Sequence, residues 1–306
     1  MQWFLYAAAG LVLCGAALLV WMTLIEPRLF RVRRIVLPRT QSGAQDGLSI
    51  PPDRLPPLKI LHVTDTHFHG GGEAKLAFLR KTAQESFDFV FLTGDLMERP
   101  EGLKDCLEMA EILRARLGSF AVLGGHDCFF SEEVTPKFFF LRRRGPPPEH
   151  LRQPNPVAEL KAGLAARGVQ VLEDQSCIVR VAEGRDVAIV GLRDAFVFEL
   201  DYDAAWRGVP AGMATIVLAH SPDVLPEVTS RGADLAFFGH THGGQVRLPL
   251  VGAVVTRSQI LHRRRVRGVF REGRTIFTIN HGLGAGVSTN LRLLCRPEVT
   301  VMSLEP

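Results

Sequence analysis

Five short apolar runs along this 306-residue chain each stop at a histidine or an aspartate. Leu58 to Val63 leads into Asp65-Thr66-His67, and Phe87 to Leu92 into Gly94-Asp95. Phe120 to Leu123 leads into Gly124-Gly125-His126-Asp127, Thr215 to Ala219 into His220, and Leu235 to Phe238 into Gly239-His240-Thr241-His242. Runs of this length, rich in Val, Ile, Leu and Phe, read as strands buried on both faces. Helical spacing separates them: Leu76, Leu79 and Ala83 share one face, as do Leu103, Leu107, Ala110 and Leu117. Val157, Leu160 and Leu164 form a third stripe, stopped by Gly168. Strands alternating with helices predict an α/β core. Sites in such sheets form beyond the carboxyl ends of the strands, where all five clusters fall. Further strands at Cys177 to Val181, Val187 to Val190 and Thr275 to Ile279 predict a second sheet packed on the first.

The clusters bring together Asp65, His67, Asp95, His126, His220, His240 and His242. Carboxylate and imidazole are the donors of manganese, iron and zinc sites. The two oxygens of Asp95 suit a bridge between two ions, and a pair held ~3.5–4 Å apart can clamp a phosphate and activate water. One cluster alone says little, because a lone His-x-His such as His67 and His69 is more often structural. Five in order, each at a strand end, point to a metal site.

Trp3 to Ile25 carries no charged residue. As a helix it would span roughly 34 Å at 1.5 Å per residue, enough to cross a hydrocarbon core ~30 Å thick. No basic residue precedes it and no small-x-small cleavage site ends it, so a membrane anchor is favoured over a cleaved leader. Arg28, Arg31, Arg33, Arg34 and Arg39 follow at once, and basic flanks stay on the cytoplasmic side. The expectation is a single-pass anchor over residues 1–27 in the cell inner membrane, with the remainder in the cytoplasm. Residues 28–57 read as a basic flank and linker, since Pro38 to Pro57 is rich in Pro, Gly, Ser and Gln. Residues 58–306 read as the catalytic domain, with an insert over 128–155.

The net charge of +4 is mild, and no nucleic-acid recognition motif accompanies it, so nucleic acid is not an expected partner. The arginine runs Arg142-Arg143-Arg144 and Arg263-Arg264-Arg265 suit either a solvated face or a phosphate site. Five scattered cysteines form neither a disulfide framework nor a zinc ribbon. Nothing in the sequence identifies a protein partner.

Asp65-x-His67, Gly94-Asp95, Gly125-His126-Asp127, His220 and Gly239-His240-x-His242 together resemble the blocks of the calcineurin-like metallophosphoesterase superfamily. The resemblance covers nearly all of residues 58–306. The longer matches are Gly239 to Pro249, His220-Ser221-Pro222-Asp223, Gly282-Leu283-Gly284 and Arg296-Pro297-Glu298-Val299, and they resemble a bacterial membrane-associated branch. The resemblance implies two β-sheets packed face to face with helices outside. It implies two divalent ions, manganese foremost and iron or zinc as alternatives. One ion would take Asp65, His67, Asp95 and His242, and the other Asp95, His220 and His240. His126 would serve the leaving group, with Asp127 orienting it. The branch implies a lipid or nucleotide-lipid phosphate as substrate at the membrane. Its reaction would be hydrolysis of the pyrophosphate of UDP-2,3-diacylglucosamine to UMP and lipid X, in lipid A synthesis. The arginine runs would hold the diphosphate, and the phenylalanines of the insert, Phe138, Phe139 and Phe140, would meet acyl chains. A phosphodiesterase with another substrate and a non-catalytic metal-binding scaffold remain as alternatives. The departure is Gly125, where the family carries an asparagine that ligates the second metal.

Overall fold

A computed structural model describes residues 2–40, 48–130, 152–286 and 290–305. Helix α1 spans Gln2–Val20 and buries none of its residues. With the short turns that follow it, Gln2–Arg28 is long and apolar enough to cross a membrane.

The first sheet holds β1 (Arg31–Pro38), β2 (Leu58–Val63), β3 (Phe89–Thr93), β4 (Gly118–Val122), β7 (Val169–Val171) and β16 (Glu298–Glu305), in the order β1-β16-β2-β3-β4-β7. Strands β5 (Phe129–Phe130) and β6 (Gln153–Pro154) pair with each other at the root of the insert, as do β12 (Arg247–Leu248) and β13 (Gly252–Ala253) after the His242 turn. The second sheet holds β8 (Gln175–Ala182), β9 (Arg185–Gly191), β10 (Ala214–Leu218), β11 (Leu235–Phe238), β14 (Gly268–Glu272) and β15 (Thr275–Ile279), in the order β14-β15-β11-β10-β9-β8. The central strands of both sheets run parallel, from β2 through β4 and from β9 through β11.

Each central strand divides its side chains between two cores, as the alternation of a pleated strand requires. Ile60, Phe89, Phe91 and Phe120 meet Ile189, Ile216, Leu218 and Phe237 between the sheets. Leu61, Val63, Val90 and Leu92 face outward to α2 (Glu73–Thr82), α3 (Leu103–Ile112) and α4 (Val157–Ala165), through Leu76, Leu79, Met109, Leu160 and Leu164. Val190, Val217, Ala236 and Phe238 face the other way, onto Leu225 and Val228. The expected sandwich of two sheets with helices outside is therefore what the chain forms.

The expected linker is corrected in part. Residues 31–38 form β1, parallel to β16 from Arg31 opposite Glu298 to Pro38 opposite Glu305. Leu37, Ile50 and Leu55 are buried between the sheets. Basic residues masked the strand, but an edge strand accepts charge on its free side. Arg31 donates two hydrogen bonds to Glu298, at 2.9 and 2.6 Å. The folded domain thus begins directly after the apolar helix rather than at Leu58.

Candidate metal centre

The parallel strands deliver their following residues to one edge of the sandwich. Asp65 and His67 follow β2, Asp95 follows β3 and His126 follows β4. On the other sheet His220 follows β10, while His240 and His242 follow β11. Contacts join the two sets: the His240 amide donates to both oxygens of Asp65 at 3.2 and 3.1 Å, and His220 Nδ1 donates to the Thr93 carbonyl at 2.8 Å. Asp65, His67, Asp95, His240 and His242 all have positive φ, between 43° and 66°. Such backbone costs ~1–3 kcal/mol per residue and persists only where surrounding contacts enforce it. Gly124 and Gly239 permit the close approach, since a Cβ on the first would lie 2.3 Å from Asp95 Oδ1 and on the second 2.0 Å from Thr64 Oγ1.

The side chains form two adjoining groups. In one, His242 Nε2 lies 3.1 Å from His67 Nε2 and 3.4 Å from Asp65 Oδ1, while His67 Nε2 lies 3.7 Å from Asp95 Oδ2. In the other, His220 Nε2 lies 3.1 Å from Asp95 Oδ2 and 3.3 Å from His240 Nδ1. Asp95 is shared. Three of the imidazoles direct one nitrogen outward to an acceptor: His67 Nδ1 to Glu98 at 2.5 Å, His220 Nδ1 to Thr93, and His240 Nε2 to the Arg257 carbonyl at 3.0 Å. Their other nitrogens point inward to the cluster, which is how outer contacts prepare histidine for metal. Buried lone pairs and carboxylates this close repel one another unless a cation lies among them. Burial disfavours charge on His220, yet Asp95 first, then Asp194 and Asp65, outweigh it and hold its proton affinity well above the ordinary imidazole range. Asp65, His67 and His242 form one set able to hold an ion, and Asp65, Asp95 and His220 another. The donor set fits a divalent transition metal.

Sequence reasoning missed Glu98 and Arg257. Glu98 Oε2 receives His67 Nδ1 and also lies 2.9 Å from His126 Nδ1, so one carboxylate fixes the first ring and faces the second. Its signal was a second acid in the turn that carries Asp95. Arg257 bonds Gln245 through its guanidinium at 3.0 Å, and its charge acts on His126, His240 and His242.

Asp127 does not orient His126 as expected. Its oxygens accept the amides of Met97 and Gly124, at 2.8 and 2.9 Å, which ties the β3 and β4 loops together. Burial first, then the neighbouring Asp95, pushes its carboxyl up to about 7. The His126 amide donates to Asp95 Oδ1 at 2.9 Å, and the ring is left partly open to solvent. The Arg263–Arg265 run turns elsewhere. Arg264 donates to the Leu250 carbonyl and Arg265 stacks over Phe270 and Phe277, because aromatic faces attract guanidinium. The Arg142–Arg144 run and Phe138 to Phe140 lie outside the described residues. Their root is described: the Asn155 amide donates to the Cys128 carbonyl at 3.0 Å and its side chain to the His126 carbonyl at 2.7 Å.

The family model for calcineurin-like phosphoesterases matches residues 58–244, which include every residue of this cluster except Arg257 and Gln245. The chain belongs to that family. The calcineurin-like phosphoesterases are metal-dependent hydrolases, and this chain is one of them. Among similar proteins, the uncharacterized metallophosphoesterase YkuE of Bacillus subtilis is 26% identical, over 71% of this chain and 68% of its own. The UDP-2,3-diacylglucosamine pyrophosphatase LpxG of Chlamydia trachomatis is 28% identical, over 92% of each chain. The phosphodiesterase YaeI of Escherichia coli is 29% identical, over 82% of this chain and 84% of its own.

Proposed function

We propose that this phosphoesterase works at the cytoplasmic face of the inner membrane, where it hydrolyses the pyrophosphate of UDP-2,3-diacylglucosamine to UMP and lipid X. The observation that carries the membrane part is how directly the apolar helix is tied to the metal cluster. Arg292 N donates to the Met22 carbonyl at 2.9 Å, and Cys295 N donates to Glu26 Oε1 at 2.5 Å. The Cys295 thiol in turn donates to the His242 carbonyl at 3.2 Å. A helix spanning the bilayer would thus hold the cluster close to the headgroups. Beside Cys295, Leu294 is exposed, and Leu248 and Leu250 line the same hollow with Arg264 and Arg267. Apolar side chains rimmed by arginine suit an anionic lipid surface. The likeness to LpxG over nearly the whole chain supports the substrate.

In this reading Asp65, His67, Asp95 and His242 hold one divalent ion, and Asp95, His220 and His240 the other, manganese being the first choice. Bound ions supply charge neutralisation at the phosphate and a more acidic water. Glu98 fixes His67 through Nδ1 and keeps His126 facing the same space. The partly open His126 is placed to donate to or stabilise the leaving oxygen. Arg257 adds a fixed positive charge beside the histidines, where a diphosphate would dock.

The test is incubation of the purified full-length protein with UDP-2,3-diacylglucosamine and manganese, with UMP and lipid phosphate followed by chromatography. Release of both products is the expected result. Turnover of a generic phosphodiester with none of the lipid nucleotide would favour the second reading, a phosphodiesterase of other specificity, which the YaeI likeness supports.

A further inference from the structure

Gly125 stands where the family carries a metal-binding asparagine, and glycine has no side chain to offer. A carboxylate fills the volume instead. A Cβ on Gly125 would lie 3.4 Å from Asp194 Oδ2 and 3.1 Å from Val197 Cγ2. The Gly125 amide donates to that same Asp194 oxygen at 2.9 Å. Asp194 lies just beyond the carboxyl end of β9, the strand next to the one that delivers His220. The rule that located the other ligands, a polar residue after a buried strand, therefore applies to it as well.

Asp194 is only 1% exposed. Its other oxygen accepts the Phe196 amide at 3.0 Å, and its carbonyl accepts the amides of Val197 and Phe198. The turn so formed packs the Phe196 ring 5.2 Å from that of His240. Among the described residues Asp194 has amide donors but no ion pair to a basic side chain. A buried carboxylate held directly only by amide donors is costly, and a bound cation offsets that cost.

We propose that Asp194 is a ligand of the second metal, reaching it from the second sheet in place of the asparagine that the β4 loop of the family supplies. The assignment rests on the two-metal reading above. It carries a steric corollary: an asparagine at 125 and a carboxylate at 194 compete for one space. Gly125→Asn alone therefore crowds Asp194 and Val197 rather than tightening the site.

The experiment is titration of the chelated full-length protein with manganese, read by calorimetry and by metal content after dialysis. Wild type should bind two ions. Asp194→Ala should keep the first and weaken the second roughly 100-fold. Gly125→Asn with Asp194→Ala should recover about tenfold or more of that loss, because the amide returns to the space the carboxylate has left. Thermal unfolding of the metal-free variants controls for folding: Asp194→Ala takes the acceptor from the Gly125 and Phe196 amides and should melt somewhat earlier, so each titration is run well below that variant's melting temperature. Two ions bound by Asp194→Ala with wild-type affinity would overturn the assignment. So would equal weakening of both ions without recovery in the double variant. A wild type that binds one ion would instead remove the two-metal reading on which the assignment rests.

Discussion

Glu98 sits between two histidines with different work. It takes the His67 proton outward and faces His126 across 2.9 Å. Glu98→Gln keeps the shape but loses the charge, so manganese affinity at the first ion and kcat should each fall roughly 10–100-fold, measurable by titration and steady-state kinetics. His126→Ala should harm esters with poor leaving groups more than activated aryl esters, because assistance at the leaving oxygen matters most when that oxygen is basic. Equal losses across a series of leaving groups would show instead that His126 only binds or shapes the site. Asp95 touches both groups, so Asp95→Ala should abolish turnover and bind fewer than two ions. Chelation should do the same in wild type, and a chelated protein at full rate would defeat the metal reading. Asp65, His67, Asp95, His220, His240 and His242 could be singled out along the chain because each follows a buried strand. Glu98 and Arg257 were not, since nothing in a linear pattern says that a turn folds back onto two rings or that a distant loop returns to the histidines.

At the scale of elements, the edge strand β1 is held to the sheet by charge as well as by its ladder. Glu85 accepts hydrogen bonds from Arg34 on β1 and from Lys59 on β2, reaching across β16. Arg34 first, and then Lys59, draw the Glu85 carboxyl down to about 2. A carboxyl depressed in the folded state adds stability that is full above its unfolded value, near 4.3, and lost as pH falls toward 2. The three side chains are partly open to water, so the clamp contributes only ~0.5–1 kcal/mol. Glu85→Gln should lower the melting temperature by roughly 1–2 °C at pH 7. The gap should close near pH 2, which calorimetry at the two pH values would check. A gap unchanged at low pH would mean that Glu85 acts by packing. The strands β1 and β14 escaped the sequence reading because two-sided burial, the signal used for the centre, fades at sheet edges, while β16 is buried almost throughout but Glu298, Thr300 and Ser303 break up its apolar run.

For the whole molecule, the apolar helix is bonded directly to the sandwich rather than joined to it by a linker alone. Cys295 bonds both Glu26 and His242, and buried Arg292 donates to the carbonyls of His281, Gly282 and Gly284, which back the Asp65 loop. If the exposed Leu250 and Leu294 meet lipid, Leu250→Asp with Leu294→Asp in protein reconstituted in anionic nanodiscs should cut kcat/KM on the acylated substrate roughly tenfold or more, since each buried leucine is worth about 1.5–3 kcal/mol. Hydrolysis of a water-soluble diester should stay at the wild-type rate. Equal loss on both substrates, with earlier melting, would place the two leucines in the fold rather than at the membrane.

The linear order of apolar runs and polar ends determined that two layers of buried strands would present histidine and aspartate at one edge. Strand burial and metal chemistry both leave local marks, a continuous apolar run and a donor beside a glycine. Tertiary structure alone decided which donors share an ion and what stands behind them. The closure of one sheet edge on the other sets Asp65 against His240, and Glu98 against His67 and His126. The same closure brings Asp194 to the vacancy that Gly125 leaves. Residues far apart in the chain meet there only because two separate sheets pack at a fixed distance, and no spacing within either run encodes that meeting.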